Sequence, residues 1–374
     1  MKKILVFVVI IAGILGLGML YRDFFKSQPN EKVYVAIEGE SKIVVIDPVT
    51  KSILSTINLA VEHDGGLLPY APHNVQVSPD MKTVWVTANA GMHQGHTSLM
   101  TNRAYAHGGV GEGADEVIVI NPDNDRIIKR LPLGNGLHLA HVVLTPDSAW
   151  ALVTAQNEGA IYKINTRTFA LEKKILLPRP VTSAGSPEPH GLRVAHDGSA
   201  AYLAILKGKS MGVLDLVDDS ITTVPLGGAA VQTGVTPDGK FVVVSLYDTK
   251  QLAVYEVTTK KVRFVKLPST ARGPVQMYPT PDSRFVYLAD QGYYFGQPPS
   301  EWVYKIDLQK LAVVEEIRAG RGPHGVVVSP DGLRLYVTNL LSDDLTVIDT
   351  ITDKETERIS VGKEPNGVSV WLKQ

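Results

Sequence analysis

No cysteine occurs among the 374 residues. That absence removes disulfides, thiolate metal sites, iron–sulfur clusters, cysteine nucleophiles and the attachment point of a lipoprotein lipid. An excess of charge of either sign is also missing: 37 Lys and Arg face 38 Asp and Glu. A nucleic-acid binder needs a basic surface to displace counterions, so nucleic acid is not an expected partner. The chain has no Asn-x-Ser/Thr acceptor, Gly-rich phosphate loop, Ser/His/Asp spacing or haem-attachment motif. What it does have is 44% hydrophobic residues, enough for a core, and ten histidines. With thiolates gone, those histidines are the only strong nitrogen or sulfur side-chain ligands for a metal, and their placement becomes the main question.

One long apolar run stands at the beginning. Lys2-Lys3 precede seventeen apolar residues, Ile4 to Leu20, followed by Tyr21-Arg22. Cations ahead of such a run make an export signal whose N-terminus stays on the cytoplasmic side. Residues 1–26 are therefore expected to be a hydrophobic helix serving as signal or membrane anchor, and 27–32 (SQPNEK) a polar linker. The remainder is expected outside the cytoplasm, anchored if the segment is retained and secreted or periplasmic if it is cleaved.

From Val33 onward the sequence repeats. The clearest copy reads Pro323-His-Gly-Val-Val-Val-Ser-Pro-Asp331-Gly, then Leu335-Tyr-Val-Thr-Asn339, Leu345-Thr-Val-Ile-Asp349 and Glu357-Arg-Ile-Ser-Val-Gly362. These are four short β-branched runs punctuated by turn residues, hence an antiparallel meander. The turn Asp recurs at 80, 147, 197, 238, 282 and 331, a unit of a little over forty residues with insertions. Four strands at that period predict a β-propeller. A seventh copy is split: residues 365–371 supply a first strand, while 33–36, 42–47 and 53–59 supply three strands that lack one. Joining the termini closes a seven-bladed ring over residues 33–374 and removes the exposed edges of an open array.

Ser329-Pro-Asp-Gly with Tyr336-Val-Thr-Asn339 resembles the repeat of the YVTN-family β-propellers; degenerate versions stand at Val84-Trp-Val-Thr-Ala-Asn89, 151–155 and 286–290. The resemblance covers essentially all of the chain after residue 32. It implies the fold, which is shared with the propellers of nitrous oxide reductase, haem d1 proteins and lactonase-like enzymes, and it leaves the activity open.

In such a meander the D-to-A connections between blades and the B-to-C connections within them share one face. His63, His73, His93, His96, His107, His138, His141, His190 and His324 all fall there, and only His196 lies in a turn on the opposite face. Counting back seven residues from each turn Asp reaches His73, Ala140, His190, Val231, Val275 and His324, with Asn366 in the same Pro-x-Gly slot of the closing blade. This slot opens the innermost strand, so its side chains are expected at the mouth of the central channel. His141, Gln232 and Gln276 follow one residue later, and a one-residue bulge there, which the sequence pattern does not show, would turn them inward too.

The expected site is thus His73, His190, His324 and His141, holding a transition metal such as copper or zinc or a metal-bearing cofactor. His93, His96 and His107, in a long insertion that also carries Met92 and Met100, are possible further ligands. Arg272 and Arg321, with Lys363, share a register three residues before the slot, where they read either as solvated loop charges or as cations that could hold an anionic ligand at the mouth. Two other readings stand beside the metal-binding one. The hub can serve a lactonase-like hydrolase or lyase. Alternatively the histidines are structural, and the top face is a platform for a protein or small-molecule partner.

Overall fold

The computed structural model describes residues 29–91, 113–178, 185–293 and 296–374. The hydrophobic segment 1–26 and the insertion carrying His93, His96 and His107 lie outside them. Among the described residues no helix is long and apolar enough to cross a membrane.

Seven four-stranded antiparallel sheets fold from the repeats. Their innermost strands are Pro365–Leu372 (blade 1), Tyr70–Val77 (blade 2), Leu139–Leu144 (blade 3), Pro189–Val194 (blade 4), Ala230–Val235 (blade 5), Pro274–Pro279 (blade 6) and Pro323–Val328 (blade 7). Each of these strands touches the innermost strand of the next blade, and blade 7 returns to blade 1, so the ring closes around a channel. Closure uses both chain ends, as the split repeat predicts: Glu31–Ile37 pairs with Pro365–Leu372, placing Val33 opposite Val370. This strand starts inside the stretch read as a linker. Lys32 is buried there because its ammonium reaches Pro122 O at 2.6 Å and the Asp125 carboxylate at 3.0 Å.

Burial follows position in the blade. Middle strands such as Phe241–Leu246 are packed between neighbouring blades and are apolar on both faces. Outermost strands such as Leu171–Leu176 are mostly exposed and carry charge, which discourages edge-to-edge pairing. The turn Asp caps the link between first and second strands. In blade 5, Asp238 Oδ1 accepts from Thr236 Oγ1 at 2.7 Å and from the Lys240 amide at 3.1 Å.

The Thr of the Tyr-Val-Thr-Asn run has a definite task. Thr154 Oγ1 accepts the His141 amide of its own blade at 3.0 Å and donates to the His190 carbonyl of the next at 2.7 Å. Thr87, Ser245 and Thr338 repeat the arrangement toward Ala140, Val275 and Asn366. One hydroxyl therefore pins the bulge of one inner strand and the start of its neighbour. The Gly of Pro-x-Gly permits that approach: a Cβ on Gly325 would stand 2.2 Å from Asn366 O.

Candidate functional site

The inner strands deliver four histidines to the channel mouth. His73 and His324 come from the predicted slot and are buried; His190, from the same slot, is partly open. In blade 3 the slot holds Ala140, and a register shift between Leu139 and Val142 brings in His141, which is 1% exposed. One ring nitrogen from each of His73, His141 and His190 lies within 4.8 Å of the other two. The His141 ring centre is 5.2 Å from that of His190 and 6.0 Å from that of His73. His324 stands farther out, 6.3 Å from His73 ring to ring.

Outer contacts decide which nitrogen each ring offers. His190 Nδ1 lies 2.9 Å from Val231 O, and a carbonyl only accepts, so Nδ1 carries the proton and Nε2 the lone pair. Both polar neighbours of His73 fall on Nδ1: Asn366 Nδ2 at 3.1 Å and Glu38 Oε1 at 3.6 Å. Its buried Nε2 has no hydrogen-bond partner among the described residues.

His141 sits at the end of a directed chain. The Thr233 amide donates to Gln232 Oε1 (2.9 Å), Gln232 Nε2 to Gln276 Oε1 (2.5 Å), and Gln276 Nε2 lies 3.1 Å from His141 Nε2. A backbone amide cannot accept, so the chain runs one way and His141 Nε2 is the acceptor at its end. The proton of the neutral ring is then on Nδ1, which is buried without a partner among the described residues. Burial first, and then the positive potential of His190, Arg193, His73 and His324, hold the His141 pKa well below the ordinary imidazole value. At neutral pH this ring is uncharged.

Other members of the site escaped the register count. His138 is buried with its ring 5.8 Å from that of His73, its amide held by Asp115 Oδ2 at 2.9 Å. Glu38, 4% exposed, belongs to the short 3-10 turn Glu38–Glu40 between two strands of blade 1 and accepts from Asn366 Nδ2 at 2.6 Å. Gln291 donates to His324 Nδ1 at 2.9 Å. Glu38 and His138 stand on connections that the strand order assigns to the histidine-bearing face, and Gln291 lies at the end of the strand Phe285–Gly292 that runs up to that face; this was the signal available for finding them. Of the remaining histidines, His63 is exposed in a hairpin outside the blades, 3.5 Å from Asp64, and His196 is exposed in its turn. His93, His96 and His107 lie outside the described residues.

Comparison with known proteins agrees on architecture. The family model for YNCE-like β-propellers matches residues 111–373. A functionally unknown protein from Desulfotomaculum acetoxidans superposes with a TM-score of 0.68 at 14% identity, covering 92% of this chain and 99% of that one. Virginiamycin B lyase from Staphylococcus aureus gives 0.61 at 16% identity, covering 80% and 91%. The apo form of AztD from Citrobacter koseri gives 0.61 at 14%, covering 91% and 97%. At these identities the likeness concerns the fold alone. Among curated sequences, the PE-PGRS family protein PE_PGRS18 of Mycobacterium tuberculosis is 48% identical over 48 residues, 13% of this chain; the match spans only 10% of that protein's length.

Proposed function

The chain belongs to the YNCE-like β-propeller family, and we propose that its channel mouth binds a late transition metal ion, in the class of zinc or copper, through His73, His141 and His190. The observation that carries this reading is the convergence of three ring nitrogens within 4.8 Å, two of the rings buried. Neutral imidazole is the form that ligates, and burial keeps His141 neutral. Around a tetrahedral zinc the nitrogens would stand about 3.4 Å apart, so the rings swing inward on binding. Val231 O behind His190 occupies the place from which an outer-shell acceptor orients a metal-binding imidazole. The run at Ile4–Leu20 supports a position outside the cytoplasm.

The test is metal content of untagged protein, loaded with zinc or copper and desalted. The wild type retains about one ion per chain, and His73→Ala with His190→Ala retains none. Equal, negligible metal in both contradicts the reading.

An enzymatic reading has its own support. Three histidine ligands leave a fourth position for water or substrate, and the buried Glu38 carboxylate stands beside His73. Turnover of a lactone or ester by the metal-loaded protein, lost in the same variant, would establish a hydrolase or lyase.

A further inference from the structure

The three most exposed large apolar side chains among the described residues share one position of the repeat. Val217 is 90% exposed, Ile351 76% and Val49 74%. Each stands two residues after the acid that ends the third strand of its blade, in the turn to the fourth. That acid fixes the tip: Asp47, Asp215 and Asp349 accept the amides of Val49, Val217 and Ile351 on Oδ1 at 2.8, 2.7 and 3.0 Å. In blades 2, 3 and 6 the same bond presents Asp123, Arg167 and Gln309, so the turn itself does not call for an apolar tip. Single exposed apolar residues are ordinary; the three most exposed ones in one register are not a scatter.

The tips belong to blades 1, 4 and 7. Blades 7 and 1 are neighbours and blade 4 lies across the ring from both, so the tips mark three corners of the face opposite the histidines. Leu333, in the adjoining turn of blade 7, adds to the corner at Ile351, where the Thr350 amide donates to its carbonyl at 3.1 Å. The polar tips between the corners deny a protein partner the continuous apolar core that such an interface buries. Separated apolar points that define a plane suit a flat apolar medium beneath a polar layer, which is a lipid bilayer.

The chain itself leads to lipid on this side. Val33 pairs with Ile46, so the strand Glu31–Ile37 begins at the end of blade 1 that carries the Val49 turn. The Lys373 amide holds Asn30 O there at 2.9 Å. Residues 21–30 link that point to the apolar run Ile4–Leu20, a reach of at most about 33–36 Å. One tip gains little from lipid, but a tether this short makes the contact intramolecular and lets weak contacts act together.

We propose that the propeller rests with this face on the non-cytoplasmic surface of the bilayer, Val49, Val217 and Ile351 dipping among the lipid headgroups, and that the histidine-lined mouth opens away from the membrane. The proposal rests on the retention of residues 1–26 as a membrane anchor and is independent of the metal reading.

The lack of cysteine makes the test clean. Full-length Val49→Cys, Val217→Cys and Ile351→Cys are each labelled with a polarity-sensitive fluorophore, reconstituted into phosphatidylcholine vesicles and recovered by flotation. Leu67→Cys, 70% exposed on the connection at the histidine-bearing face, is the control. In floated protein the three tip probes are expected to shift to the blue and to be quenched by lipids with a nitroxide at the headgroup, while the probe at position 67 keeps its aqueous emission. Changing the two unlabelled tips to Asp is expected to return the third probe to aqueous emission in protein that still floats. Floated protein whose tip probes stay aqueous would overturn the docking and leave the anchor standing; protein that does not float removes the anchor and the docking with it. An equal shift at position 67, or a tip shift that survives the Asp changes, would also overturn the docking. So would a tip shift that appears without vesicles and grows with protein concentration, because a second copy would then cover this face.

Discussion

His141 is the residue on which the hub's chemistry turns. The amide chain from Thr233 through Gln232 and Gln276 fixes its proton on Nδ1, whereas ligation through Nδ1 needs that proton on Nε2. On the metal-binding reading, uptake through Nδ1 would therefore turn the Gln276 amide over against its neighbour. Gln276→Glu removes the conflict, because a carboxylate accepts from both Gln232 Nε2 and a His141 Nε2–H. Its zinc affinity, measured by competition with a chelator, is expected to rise by about tenfold; an unchanged or lower affinity would mean that His141 Nδ1 is not a ligand. The same ring gives a pH dependence. Its folded pKa is depressed, so below the unfolded value of about 6.5 the unfolded chain takes up a proton that the folded chain refuses. Stability from this group is thus full above that pH. It is lost as pH falls toward the folded pKa, by at most about 1.4 kcal/mol per pH unit. Urea unfolding of the metal-free protein at about pH 7.5 and about pH 5.5 should show a larger loss for wild type than for His141→Gln; equal losses would contradict the argument.

At the scale of the element, the working unit is an inner strand and the hydroxyl that pins it. Thr154 is fully buried and serves both the His141 amide and the His190 carbonyl. Thr154→Val strands both groups and should cost about 2–4 kcal/mol in denaturant unfolding, with weaker metal binding, while Thr154→Ser stays close to wild type. Equal stability of Val and Ser variants would show that the hydroxyl does not set the bulge. This contact also marks what was legible in the sequence. The Pro-x-Gly slot was readable because each turn Asp stands seven residues beyond it, and that count alone places His73, His190 and His324 at the hub. His141 was legible only conditionally, since a one-residue bulge decides which way a strand residue points. Glu38, His138 and Gln291 were not singled out as site residues: the first two come from connections and Gln291 from the extended end of the strand Phe285–Gly292, and a repeat pattern carries no information on how connections and strand ends fold over the mouth. Lys32 read as linker because a lysine ordinarily seeks water, and its partner Asp125 is ninety-three residues away.

For the molecule as a whole, the ring explains how a chain without cysteine gathers its histidines. Seven inner strands converge on one channel, so residues far apart in sequence, His73 and Asn366 among them, meet at 3.1 Å without any covalent tie. The closing pairing of Glu31–Ile37 with Pro365–Leu372 places Asn366 and Glu38 beside His73, and ring closure and site assembly are therefore one event. The fold itself is neutral as to activity; the side chains at the mouth carry the functional reading. An anomalous difference map from crystals of the zinc-loaded protein, collected on both sides of the zinc absorption edge, addresses that reading most directly. The account predicts one peak at the channel mouth, bonded to His73, His141 and His190 at about 2.0–2.1 Å. A hub without a peak in crystals grown with saturating zinc, or zinc bound only at other sites, would contradict it.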